Sequence, residues 1–232
     1  MERDWSFIDL THTIRTDMPV FPGDRKPRVT PETNWEREGY RETWIEMGSH
    51  AGTHADSPYH VSPEGMKLEE MELSQFAGTA LVIDCRDAVL SVPKGLQPEI
   101  PMSCIKRVRE KADQADFVLF LTGWGKYWGT EEYFGRYPVP GMEVCRYLRD
   151  SGKKGVGLDT ASADPVEDVG LPRHKCLLTG EEKKGFVILE NLKNLELLGD
   201  DLFFLTAFPL KTEKADGAPV RAVAIKLHSP FV

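Results

Sequence analysis

His50-Ala51-Gly52-Thr53-His54-Ala55-Asp56-Ser57-Pro58-Tyr59-His60 carries three of the six histidines of a 232-residue chain. Imidazole nitrogens and carboxylate oxygens are ligands that zinc, manganese and iron accept, and His-x₃-His-x-Asp supplies three of them in one short segment. On a helix a His-x₃-His pair would share a face, but Gly52 is a poor helix former and Pro58 follows closely. The segment is therefore expected to form a turn or a strand-to-loop bend, with Gly52 where φ turns positive or another backbone approaches. A bare His-x₃-His more often only hydrogen-bonds in a polar loop; Asp56 and His60 at this spacing shift the reading to a metal site. His60 is either a fourth ligand or a free base. A catalytic metal usually keeps three protein ligands and a position for water, which favours His60 as the group that moves protons.

Outward from this segment, the composition sets bounds. The chain has 29 Lys+Arg against 37 Asp+Glu, a formal net charge of −8 and a pI near 5.3. With no Lys/Arg cluster to neutralise phosphates, no nucleic-acid partner is expected. At 41% hydrophobic and 28% charged residues the chain reads as an ordinary globular protein, and residues 1–232 as one domain. Apolar runs such as Phe117-Val118-Leu119-Phe120-Leu121 fall far short of the ~20 residues that cross a bilayer, so no membrane partner is expected. The charged start Met1-Glu2-Arg3-Asp4-Trp5 lacks the apolar stretch of a signal peptide, which points to the cytoplasm. Cys85, Cys104, Cys145 and Cys176 form no C-x-x-C pair and read as buried free thiols.

Short β-branched or aromatic runs predict strands at residues 43–47, 79–84, 117–121, 155–158, 185–189, 202–205 and 222–227, several of them buried on both faces. Helices are expected over residues 102–115 and 141–151. In the second, Val144, Tyr147 and Leu148 form one stripe, with Pro140 before it and Gly152 after it. Many strands and few helices suggest an α/β or α+β domain with a mixed sheet, not a regular doubly wound one.

The eleven-residue segment fits H-x-G-T-H-x-D-x-P-x-H and resembles the signature of the bacterial kynurenine formamidase and cyclase family. Other segments resemble that family in the same order: Asp9-Leu10-Thr11-His12-Thr13-Ile14, Met18-Pro19-Val20-Phe21-Pro22-Gly23-Asp24, Leu121-Thr122-Gly123-Trp124, Gly157-Leu158-Asp159-Thr160-Ala161-Ser162-Ala163-Asp164, Glu190-Asn191-Leu192 and Asp216-Gly217-Ala218-Pro219-Val220-Arg221. The resemblance implies an α/β fold with a mixed β-sheet of the swivelling β/β/α type. It also implies a metal-dependent amide, lactam or formamide hydrolase, usually a homodimer or larger assembly. Carried over by position, His50, His54 and Asp56 would bind a first metal. Asp56 would bridge to a second held by His174 and Glu190, and His60 would be the general acid/base. One or two divalent ions are implied, zinc in the first place and manganese as the alternative.

Two positions depart from the family pattern. Val61 stands where Phe is common, and the charged stretch Glu181-Glu182-Lys183-Lys184 reads as a lengthened hairpin turn between two strands. Taken alone, His174 between Arg173 and Lys175 would be a surface histidine, and for Glu190 capping of a following helix would do equally well. Phe21 beside Pro22-Gly23 is the candidate wall for an aromatic substrate, while Trp124, Tyr127 and Trp128 serve either pocket or packing. Asp159 and Asp164 are candidates either for orienting histidines or for stabilising turns. Residues 64–72 read as a solvated segment, and His12 and His228 carry no assigned role. Without a Gly-x-Ser-x-Gly elbow, a serine route is disfavoured. Three functions remain: an arylformamidase turning N-formylkynurenine into kynurenine and formate, a lactam or lactone hydrolase of the isatin type, and a non-catalytic protein whose His50, His54, Asp56 and His60 close a structural site.

Overall fold

Once the apolar runs pair into a sheet, alternate side chains fall on opposite faces and both faces find a core. The computed structural model describes residues 5–93, 95–180 and 185–227. Its strands are β1 (Trp5–Asp9), β2 (Arg28–Pro31), β3 (Thr43–Glu46), β4 (His54–Asp56), β5 (Ala77–Asp84) and β6 (Glu99–Ile100). They continue with β7 (Phe117–Leu121), β8 (Val139–Pro140), β9 (Gly155–Leu158), β10 (Val187–Glu190), β11 (Phe203–Pro209) and β12 (Gly217–Leu227). The helices are α1 (Trp35–Glu38), α2 (Arg86–Leu90), α3 (Met102–Lys106), α4 (Arg109–Gln114), α5 (Met142–Asp150) and α6 (Pro172–Leu178).

The main sheet has eight strands in the order β1-β12-β11-β5-β7-β9-β10-β4, and β4 also pairs with β12. That last pairing closes the sheet into a barrel. Closure depends on the 11-residue length of β12. Its Gly217 to Pro219 pair with β4 while its later residues pair with β11 and β1. A closed ring leaves few free edges to template association. The β5, β7, β9 and β10 neighbours run parallel and the other pairings antiparallel, so the sheet is mixed, as expected.

Inside the barrel lie Ala80 and Val82 of β5, Phe117, Leu119 and Leu121 of β7, and Val187 and Leu189 of β10. The alternate residues Leu81, Ile83, Val118, Phe120 and Ile188 face outward against α3, α5 and α6, joined by Ile105, Val144, Leu148 and Leu177. Each fully buried aliphatic side chain of this kind contributes about 1.5–3 kcal/mol. Gly157 on β9 is required by this packing: a Cβ there would collide with the side chains of Leu119 and Leu192.

Several expectations need adjustment. The helix expected over 102–115 breaks into α3 and α4 at Val108, a β-branched residue that leaves the helical region at φ −126°, ψ 28°. The strand expected at 43–47 forms as β3, but it pairs only with β2 in an exposed ribbon. Residues 64–72 are not wholly solvated, because Leu68 and Met71 turn into the barrel core. The described element before the stretch expected to be a hairpin turn is not a strand: His174 lies on a helix, α6, and the next described element is β10. Residues 181–184 and His228 lie outside the described residues. Among the described residues no helix is long and apolar enough to cross a membrane. Cys85, Cys104 and Cys145 are buried free thiols, as expected, and Cys176 is half-buried.

Candidate metal centre

The site forms where β4 is inserted between β10 and β12. Gly52 makes the entering turn at φ +72°, and β4 then places His54 opposite both Glu190 and Pro219, and Asp56 opposite both Ile188 and Gly217. The chain leaves through a single 3-10 turn, Pro58–His60, with Pro58 at its start, which swings His60 back over the strand. The bend expected from Gly52 and Pro58 is thus present on both sides of a three-residue strand. Gly217 makes a second close approach possible, since a Cβ there would lie 2.5 Å from His50 Cε1.

Three groups of ligand atoms each gather within 4.8 Å: His50, His54 and Asp56; Asp56, His174 and Glu190; and His50, His60 and Asp216. All the site residues expected from the sequence except Phe21 therefore meet here, and Asp56 belongs to the first two groups. Its Oδ1 is 2.7 Å from His50 Nδ1 and 3.1 Å from His54 Nε2, while its Oδ2 is 3.5 Å from His174 Nε2. Glu190 lies 3.5 Å from His54 Nε2 through Oε2 and 3.3 Å from His174 Nε2 through Oε1, and that same Oε1 accepts the Ala163 N–H.

Outer partners fix Nδ1 as a donor and set the ring orientation of two histidines. His54 Nδ1 donates to the Gly52 carbonyl at 2.9 Å, and His174 Nδ1 donates to Asp164 Oδ2 at 2.7 Å. With Nδ1 so engaged, each ring turns Nε2 toward Asp56 and Glu190, where it would offer its lone pair to a bound cation, the arrangement that orients a metal-binding imidazole. Two buried polar atoms have no hydrogen-bond partner in this cluster, His54 Nε2 and Asp56 Oδ2. Buried polar atoms left unpaired cost about 1–3 kcal/mol each, and a cation shared between them would remove that cost. The donor set, its tautomers and its orphaned atoms therefore fit a divalent cation.

The electrostatics agree. Burial pulls the His50 pKa down, but Asp56 and Asp216 outweigh it and push it up to about 10. Burial likewise opposes protonation of His174, yet Asp164, Asp56 and Glu190 hold its pKa well above the ordinary value. Burial would raise Asp56, but His54 and His50 hold it well below the usual carboxylate range. The carboxylates thus create a field that binds positive charge. His60 behaves differently: burial first, then His50 and His174, lower its pKa and leave a neutral imidazole at pH 7. Its ring centroid is 4.1 Å from that of His50 and 5.6 Å from that of His174.

Sequence reasoning missed Asp216 as a site residue. Its Oδ2 is 3.0 Å from His50 Nε2 and 3.9 Å from His60 Nδ1, and the His50 hydrogen bond draws its pKa down to about 2. An Asp-Gly pair signals only a turn; a sequence separation of 166 from His50 hides the contact. Asn191 was also without a role. Its Nδ2 donates to the Gly52 carbonyl at 2.9 Å, and its Oδ1 accepts from Tyr133 at 2.6 Å, so it braces the same carbonyl that orients His54. Asp159 and Asp164 part company: Asp164 orients His174, whereas Asp159 accepts from Thr122 and Gly123 in a turn, with burial pushing its pKa up to about 6. The surface reading of His174 and the helix-capping reading of Glu190 are both overturned, since both side chains are buried in the cluster.

Phe21 packs edge-on against Phe134 with ring centroids 6.2 Å apart. Tyr133, Trp128 and His12 continue this aromatic row, the last two stacked at 3.9 Å. Trp124 donates its indole N–H to the Tyr133 carbonyl, so the 124–134 loop is a packed unit beside the site.

A closed mixed barrel with a buried imidazole–carboxylate cluster at one seam defines the protein as a cyclase-fold hydrolase. The Cyclase family profile ("Putative cyclase") matches residues 8–165, and the chain belongs to that family. It is 29% identical to kynurenine formamidase of Bacillus thuringiensis (strain Al Hakam) over 220 residues, covering 94% of this chain and 96% of that one. Kynurenine formamidase of Erythrobacter litoralis is 29% identical over 231 residues, covering 94% of this chain and 93% of that one. Among solved structures, isatin hydrolase A from Labrenzia aggregata superposes with a TM-score of 0.82 at 26% identity, covering 97% and 94% of the two chains. A predicted metal-dependent hydrolase from Bacillus stearothermophilus superposes with a TM-score of 0.74 at 27% identity, covering 96% and 98%.

Proposed function

We propose that the protein is an arylformamidase that hydrolyses N-formylkynurenine to kynurenine and formate, with residues 1–232 acting as one hydrolase domain. The observation that carries this reading is the pair of ligand groups sharing Asp56, with a neutral imidazole, His60, beside them. His50, His54 and Asp56 would hold one cation, and Asp56, His174 and Glu190 a second; zinc is the first choice and manganese the alternative. When bound, such a cation lowers the pKa of water from 15.7 to about 7 and polarises a carbonyl.

The side chains supply the rest. With His60 Nδ1 on the Asp216 side, Nε2 is the atom left to take a proton from the attacking water and return it to the departing amine. Phe21 on Phe134 offers a flat apolar wall for an aromatic ring. The likeness to isatin hydrolase A supports a second substrate class, a cyclic aromatic amide opened by the same residues. A homodimer is supported by the exposed aromatic residues of the β2–β3 ribbon, and a reducing, cytoplasmic location by the four free thiols.

The test is formate release from N-formylkynurenine by chelator-stripped protein reloaded with zinc or with manganese. Turnover that returns with either metal supports the formamidase. No turnover on metal-loaded protein, with isatin opened instead, transfers the assignment to the lactam class. Inactivity on both, with His60→Ala losing metal, supports the closed structural site.

A further inference from the structure

A cavity of about 530 Å³ is lined by none of the metal-centre residues. It lies at the carboxyl ends of three adjacent parallel strands: Arg86 and Val89 follow β5, Thr122 and Trp124 follow β7, and Asp159 follows β9. Leu192 and Lys193, just past β10, form its near wall. Parallel α/β sheets, open or closed into barrels, hold ligands outside the carboxyl ends of their strands, and this volume is within the range of small-molecule sites.

The lining has a definite polarity. Val89, Leu121 and Leu195 supply an apolar floor with the exposed Leu90 at its edge, and Trp124 and Tyr127, with ring centroids 4.7 Å apart, an aromatic wall. Three cationic side chains reach it, but they are not equally committed. Arg86 is tied to Asp84, and Lys126 lies over the Tyr127 ring. Lys193, half-buried, makes no side-chain ion pair or hydrogen bond among the described residues. Of the two acids, Asp159 is turned away into its bonds with Thr122 and Gly123, leaving Glu196 alone on the rim beside Arg86. An uncommitted ammonium above an apolar, aromatic cleft matches a small molecule with a planar apolar body and one anionic group.

We propose that this cavity is a second binding site, separate from the metal centre, for a small aromatic carboxylate whose anionic group is held by Lys193. This assignment does not depend on which substrate the metal centre hydrolyses.

The experiment uses phenylacetate as probe and 2-phenylethanol as its uncharged counterpart, with binding measured by calorimetry on the full chain. Metal-stripped protein is used in parallel, since a carboxylate could also bind a metal ion. The proposal expects saturable phenylacetate binding with a Kd of about 1 mM or tighter, unchanged by removing metal. It further expects at least fivefold weaker binding in Lys193→Met and in Leu90→Ser, and weaker binding of 2-phenylethanol to the parent chain. Leu90 is 70% exposed, so its replacement leaves the core intact. No saturable binding up to 10-fold above that Kd overturns the proposal. So does binding that vanishes with the metal, or binding indifferent to both substitutions.

Discussion

The His50–His60 segment and the β2–β3 ribbon just before it follow one another in the chain and behave in opposite ways. In the segment His54 is 1% exposed and Asp56 fully buried, both held on a strand flanked by two others. In the ribbon, by contrast, Trp44 is 62% exposed, as is Trp35 on the α1 turn that joins its strands, and the two strands have only each other. The polar segment is inside and the aromatic one outside, the reverse of what hydropathy alone would assign. Burial follows from the number of flanking strands, and a charged segment can be buried when its groups neutralise one another. An isolated two-stranded ribbon is marginal in water, so exposed indoles on it are expected to find a partner surface.

The largest effect should come from Asp56, the residue shared by two ligand groups. Asp56→Ala is expected to lose both metals together and to drop turnover by more than about 1,000-fold, measured as metal content and formate release. Loss of a single metal equivalent would show that Asp56 does not bridge. Next is His60→Ala, expected to keep its metal while turnover falls by about 10²–10⁴-fold. If metal content falls in step with activity, His60 is a ligand.

Asp164→Asn addresses the outer layer. By weakening the contact that fixes the His174 tautomer, it is expected to cost about 10–100-fold in affinity for one of two metals, read by chelator competition. Equal loss at both sites would argue that the two do not act separately.

A smaller effect concerns His12, whose pKa burial first and Lys193 second bring down to about 4 from 6.5. The folded chain therefore binds fewer protons than the unfolded chain between those values, so stability falls as pH drops through that window. With allowance for partial exposure, the loss between pH 7 and pH 4.5 is about 1–2 kcal/mol, and His12→Phe should remove it. Urea midpoints of metal-stripped parent and variant at the two pH values test this, and identical pH slopes would contradict it. The smallest effect on folding belongs to the ribbon. Trp44→Ser should change the stability of a single chain by no more than about 0.5 kcal/mol while shifting a dimer toward monomer in sedimentation. An unchanged sedimentation profile would place any dimer contact elsewhere.

These cases also show what local sequence could reveal. Val108, Leu68 and Met71 departed from expectation because their direction depends on which surface lies beneath, and composition carries no record of that surface. Phe21 was legible as a loop aromatic, but its stack on Phe134 joins positions 113 residues apart, 134 minus 21.

By itself the sequence determined the ligand types, their crowding between His50 and His60, the turns at Gly52 and Pro58, and most of the strands, because these depend on side-chain chemistry and on periodicities a few residues long. Only the tertiary structure decided that β12 would close the barrel, that His174 would point inward from a helix, and that Asp216, Asp164 and Asn191 would meet the histidines. Those outcomes rest on pairings across tens to hundreds of residues. Their free energy comes from excluding water between surfaces that are adjacent only after the chain has folded.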